Sequence, residues 1–118
     1  MNIRTHMSLL LIVAAFSLTP IAHAADTVDG KQAFDARCVK CHGDSGTGTF
    51  MLGRRLGKDK ALLEQRTDLA VEFIRHVVRN GIVSMPAITR VEVTDAELSA
   101  IATYLTRPRT SASQPKNN

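Results

Sequence analysis

The 118-residue sequence has no tryptophan, one tyrosine and four phenylalanines, so aromatic side chains make up only 4% of it. A small domain buries a modest fraction of its surface, and needs either large apolar side chains or a staple to hold a core. The staple is short too. The two cysteines, Cys38 and Cys41, lie three residues apart, and a disulfide between them would close too small a loop to stabilise much. There is no long apolar run: Ser8–Leu18 is the strongest, and it falls well short of the ~20 residues that span a bilayer. Neither sign of charge dominates, with Lys+Arg 15 against Asp+Glu 11 interspersed along the chain. That pattern lacks the basic face with interleaved aromatics of a nucleic-acid binder, so no nucleic-acid partner is expected. No alternating strand pattern and no repeat is visible.

What is present begins with an export signal. Arg4 precedes the apolar run, no acid accompanies it, and Ala22-His23-Ala24 offers small residues for cleavage after Ala24. Residues 1–24 therefore read as a cleaved secretory signal peptide, which places the protein in the periplasm with no stable membrane insertion after cleavage. Residues 25–108 read as one domain. The polar segment 109–118 has neither periodicity nor apolar content and reads as a disordered tail.

Four helical signals fill the domain. The first runs from Asp29, a capping residue, to Cys41, with Gly30 and Phe34 on one face. The glycine-rich stretch Gly43–Gly48 reads as a loop. Asp59 opens a short helical turn through Gln65, and Thr67-Asp68 opens a stronger helix with Leu69, Ala70, Phe73, Ile74, Val77 and Val78 on its apolar face. Asn80-Gly81 stops it. The segment Ile82–Thr89 is an apolar loop in which Pro86 forces Met85 toward an extended backbone. Thr94-Asp95-Ala96-Glu97 is a capping box that starts a last helix carrying Leu98, Ile101, Ala102 and Leu105. The fold class is all-α.

One pentapeptide carries chemistry. Cys38-Val39-Lys40-Cys41-His42 is C-x-x-C-H, the attachment signature of c-type haem. Two thiols at this spacing can add across the vinyl groups on one porphyrin edge, which sets His42 beneath the iron as an axial ligand. Zinc would want a second ligand pair that the chain lacks. A thiol-disulfide oxidoreductase would set C-x-x-C in an alternating strand and helix pattern, which is missing. One covalently attached haem c also supplies the apolar bulk that the side chains do not.

These residues resemble the class I c-type cytochromes over nearly all of the chain after residue 24. The likeness rests on Gly30-xxx-Phe34 ahead of Cys38-xx-Cys41-His42-Gly43, on Met85-Pro86, and on a last helix with Ile101, Tyr104 and Leu105. The resemblance implies short helices packed around one haem, with Gly30 and Phe34 meeting Ile101 and Tyr104 where the first and last helices cross. The family commonly has Gly-x-Gly-Pro after its haem motif, where a carbonyl accepts a hydrogen bond from the proximal histidine. Here the stretch is Gly46-Thr47-Gly48-Thr49, without the proline.

The sixth ligand must come from Met51, Met85 or His76. His76 shares a polar helix face with Glu72, Arg75 and Arg79, and Met51 lies only nine residues past His42. Met85 stands between two helices, braced by Pro86, and is assigned as the second axial ligand. His42/Met85 ligation fills both axial positions and favours ferrous iron, so the protein is expected to carry single electrons and not to be an enzyme. The stretch Arg79–Ala87 resembles the distal loop of small mono-haem cytochrome subunits of periplasmic dehydrogenases of the p-cresol methylhydroxylase type. That likeness implies a periplasmic dehydrogenase as electron donor and a downstream acceptor. A free periplasmic shuttle and a haem sensor with a labile Met85 are the alternatives.

Overall fold

In a computed structural model, residues 27–109 are described; the expected signal peptide, residues 1–24, and the tail beyond Arg109 lie outside them. The described chain is helical, with α1 at Gly30–Arg37, α2 at Val39–His42, α3 at Thr47–Leu56, α4 at Val71–Asn80 and α5 at Asp95–Thr106. Two 3₁₀ turns, Lys58–Lys60 and Leu63–Gln65, join α3 to α4. No strand forms among the described residues, where the one bridge pairs Ile82 with Met85.

Local chemistry explains most boundaries. The Asp29 side chain accepts from the Gln32 N–H at 2.8 Å and starts α1 as expected. The expected single helix from Asp29 to Cys41 is instead two, divided at Cys38, whose φ of −118° departs from the usual helical value. At α5 both halves of the capping box form, with Thr94 accepting from the Glu97 N–H and Glu97 accepting from the Thr94 N–H. Arg37 reaches the same Glu97 carboxylate with Nε at 3.1 Å and Nη2 at 3.0 Å, tying the end of α1 to the start of α5. These hydrogen bonds, those from Thr94 first, hold the Glu97 carboxyl below the usual carboxylate range.

α4 starts later than Thr67-Asp68 suggests, at Val71 with Ala70 as its cap. Asp68 does not cap because its carboxylate is taken, by Arg66 at 2.8 and 3.1 Å and by Lys60 at 3.0 Å. Of the expected apolar face Ile74 and Val78 are buried.

α1 and α5 cross as the family resemblance implies. A Cβ on Gly30 would stand 2.2 Å from the Ala100 carbonyl oxygen and 2.8 Å from the Tyr104 Cβ, so only glycine permits this approach. One turn on, Phe34 is fully buried, its ring centroid 6.0 Å from that of Tyr104. Ala33, Phe34, Ile74, Val78, Val93, Leu98, Ile101, Ala102 and Leu105 form one core shared by α1, α4, α5 and the segment that leads into α5. Gly30→Ala is therefore expected to cost about 3 kcal/mol, because the clash is with backbone that cannot rotate away. Thermal unfolding followed by circular dichroism checks this; a fall in Tm of more than about 10 °C is expected, and an unchanged Tm would contradict the packing argument.

Candidate haem site

Cys38, Cys41 and His42 sit together on α2 and its N-terminal cap. Both thiols are free, with Cys38 half-buried against the core and Cys41 exposed. Burial, and then the neighbouring Cys41, push the Cys38 thiol up to about 11. That is the wrong direction for a dithiol oxidoreductase, whose attacking cysteine is held as thiolate by a lowered pKa. Cys38 and Cys41 sit one turn apart, on and just before α2.

His42 is half-buried, and burial lowers its pKa, which favours the neutral imidazole a metal requires. Its Nδ1 is enclosed and has no hydrogen-bond partner. The chain beyond wraps closely around this residue. A Cβ on Gly46 would lie 2.2 Å from the Cys41 carbonyl oxygen, and one on Gly48 would lie 2.8 Å from that oxygen and 3.0 Å from His42 Nδ1. These glycines permit close approach. The stretch expected to be a loop to Gly48 is a loop only to Gly46, after which α3 runs from Thr47 with its first turn laid on the imidazole.

Met85 lies in the turn after α4, partly buried against the same core that Cys38 touches. Ile82 and Met85 exchange two backbone hydrogen bonds, of 3.0 and 2.9 Å, with Val83 at φ +53° inside the turn. Gly81 precedes it at φ +75°, where a Cβ would meet the Met85 carbonyl oxygen at 2.8 Å and the Ala87 nitrogen at 2.9 Å. The following segment is fastened to α4 by the Ile88 N–H, which donates to the Val78 carbonyl at 2.7 Å. Arg79 completes the anchor: its guanidinium donates to the carbonyls of Ile88, Thr89 and Val93 and, at 2.7 Å, to the Asp95 carboxylate. From the sequence, Arg79 belongs to the polar face of its helix. Its role as a clamp depends on carbonyls nine to fourteen residues away, which no local pattern encodes.

The other two ligand candidates are less suitably held. His76 is exposed on α4, its carbonyl accepting from the Asn80 amide at 2.9 Å. Met51 is exposed on α3. Several large apolar side chains are exposed on the elements between His42 and Met85, including Phe50 at 62% and Phe73 at 48%. Exposed aromatic surface on so small a domain marks a place where something apolar is covered.

Free thiols three apart, a histidine with an enclosed Nδ1 and a glycine cradle around it fit the attachment of a haem. Together with a helical shell they define a protein that holds a porphyrin as part of its core and moves electrons. Residues 25–105 match the family described as cytochrome C oxidase, cbb3-type, subunit III. Among curated proteins, the chain is 37% identical over 82 residues to cytochrome c6 of Cyanidioschyzon merolae, covering 70% of this chain and 74% of that one. It is 32% identical over 101 residues to cytochrome c6 of Synechococcus sp. (strain ATCC 27167 / PCC 6312), covering 86% and 87%. Among solved structures, it aligns at 30% identity and a TM-score of 0.51 with a chain of crystalline p-cresol methylhydroxylase with substrate bound, covering 71% of this chain and 97% of that one. The chain belongs to this c-type cytochrome family and has the class I cytochrome c fold. It is a mono-haem electron-transfer protein with covalently bound haem c, not an enzyme.

Proposed function

We propose that Cys38 and Cys41 form the two thioether bonds to haem c, that His42 Nε2 and the Met85 sulfur are the axial ligands, and that the protein accepts electrons singly from a periplasmic dehydrogenase. The haem, when bound, supplies a one-electron Fe(III)/Fe(II) couple. What the chain contributes is geometry. α2 and its cap carry the thiols and the imidazole within one turn, and the turn Ile82–Met85, fastened by Gly81 and Arg79, fixes the backbone from which Met85 reaches. A ligand tied down in this way favours a carrier over a sensor whose methionine comes away. Residues 1–24 direct export and are removed, leaving residues 25–108 as the working domain.

The observation that supports a dehydrogenase donor is the alignment with p-cresol methylhydroxylase, which takes in 97% of the matched chain. The cytochrome c6 relatives favour the second reading, a free carrier between larger complexes. Purification from the native periplasm, following haem absorbance through size-exclusion chromatography, separates them. The proposal expects a chain beginning at Ala25 that elutes with a larger dehydrogenase and is reduced when that enzyme's organic substrate is added. Haem eluting only at the mass of the free chain, with no substrate-dependent reduction in the periplasmic extract, would leave the free carrier.

A further inference from the structure

The segment 82–93, which carries Met85, runs between α4 and α5 without a helix of its own. Among the described residues, its hydrogen bonds to α4 come from two sources. One is its own Ile88 N–H, which donates to the Val78 carbonyl at 2.7 Å. The other is the single guanidinium of Arg79, with Nη1 donating to the carbonyls of Ile88 at 3.0 Å and Thr89 at 3.2 Å, and Nη2 to that of Val93 at 2.9 Å. Nη2 also donates to the Asp95 carboxylate at 2.7 Å, so one side chain spans the second half of the segment and reaches the first turn of α5. The Arg79 side chain is only 16% exposed, and hydrogen bonds from a charged donor held away from water are stronger than those between neutral groups.

The turn at the other end of the segment is under strain. Val83 is 74% exposed at φ +53°, so no packing of its own side chain offsets a conformation that is costly for a β-branched residue. That strain favours opening of the turn. The polar bonds that resist opening come mostly from Arg79.

We infer that Arg79 is the positioning residue for the Met85 ligand, its guanidinium setting how often the segment lifts and takes the thioether away from the iron. This rests on the reading of Met85 as an axial ligand and names the group that governs its lability. Lysine cannot substitute, because one ammonium on a flexible stem cannot serve the carbonyls of Ile88, Thr89 and Val93 and the Asp95 carboxylate at once.

The test compares holo-protein of the natural sequence with Arg79→Lys and with Arg75→Lys. Arg75 lies one turn earlier on α4 and ties it to α5 through the Ser99 hydroxyl at 2.6 Å, but donates only to Ser99 and Glu72, so its variant reports a general loosening of α4 from α5. Two readouts are taken: the limiting rate at which imidazole displaces Met85 from the ferric protein, and amide exchange of the Ile88 N–H by NMR of the ¹⁵N-labelled ferrous protein. Arg79→Lys is expected to raise both about tenfold, as the loss of a hydrogen bond from a charged donor would. Arg75→Lys is expected to leave both at their natural values, whatever either variant does to Tm. Natural rates in folded Arg79→Lys would overturn the inference, as would an equal rise in Arg75→Lys. Should Arg79→Lys fail to take up haem, Asp95→Ala, which removes the carboxylate that steadies Nη2, is expected to raise both rates about threefold, and unchanged rates there would overturn it equally. A natural ferric protein with no Fe(III)–Met charge-transfer band removes the ligand reading itself, a different failure from a ligated Met85 whose segment is indifferent to Arg79.

Discussion

Replacing Cys38 and Cys41 together by alanine is expected to yield a chain with no attached haem and with most of its helix lost. The reason lies in what the protein can bury by itself. Among the described residues the core holds nine apolar side chains, of which Phe34 is the only aromatic, while Phe50 and Phe73 are exposed. Burying a large apolar side chain is worth about 1.5–3 kcal/mol, and domains of this kind keep a net stability of only ~5–15 kcal/mol. Leaving two aromatic side chains and the haem-facing wall in water removes a large part of that margin. Intact mass and the far-ultraviolet circular dichroism at 222 nm check the outcome. Each single substitution should keep one thioether and a folded protein. A double variant that lost its haem yet kept the full helix signal would show that α1, α4 and α5 close the core unaided.

Met85→Ala is expected to change the iron chemistry more than any other single substitution that leaves the haem attached. Removing the soft thioether vacates one axial position, so the ferrous protein should bind carbon monoxide at neutral pH where the natural protein does not. The potential should fall by at least tenfold in the ferric to ferrous ratio, about 59 mV for one electron, because the ligand that favoured ferrous iron is gone. The Fe(III)–Met charge-transfer band should vanish. Met51→Ala and His76→Ala are the controls, since both residues are exposed and neither lies in the anchored turn. Loss of the charge-transfer band in Met51→Ala, with Met85→Ala unchanged, would move the ligand to α3.

Two structural details give the Met85 turn its firmness. Gly81 at φ +75° lets the chain reverse directly out of α4, and a side chain there would strike the backbone of Met85–Ala87. Val83 holds φ +53°, a conformation that costs a β-branched residue strain and persists only where surrounding contacts enforce it. Those contacts are the paired Ile82–Met85 hydrogen bonds and, further on, the Arg79 clamp.

How much of this was legible beforehand depends on how local each cause is. C-x-x-C-H names its own chemistry, because attachment needs only two thiols and an imidazole at fixed spacing along one turn. The Thr94–Glu97 capping box and the Asp29 cap formed as written, since both partners of each lie within three residues. The Gly30 and Phe34 contact with α5 was foreseen only through the family resemblance, for nothing near Gly30 says which helix it will meet. Where the reading missed, a group outside the helix pattern had taken the residue. Asp68 looked like a cap but is held by Arg66 and Lys60. Gly46 and Gly48 looked like a flexible loop but are close-approach residues around His42.

The sequence alone therefore determined the helical class, the haem motif and the caps at Asp29 and Thr94, all of which follow from interactions spanning a turn or less, while it missed α3, the break at Cys38 and the start of α4. The tertiary structure alone decided that α3 lays Gly48 against the imidazole edge and buries Thr49 in its first turn. It also decided that Arg79 fastens the loop carrying Met85. These depend on which distant groups the packed helices bring within hydrogen-bond or van der Waals reach, and the short-range ~1 kcal/mol preferences of a linear sequence do not carry that information.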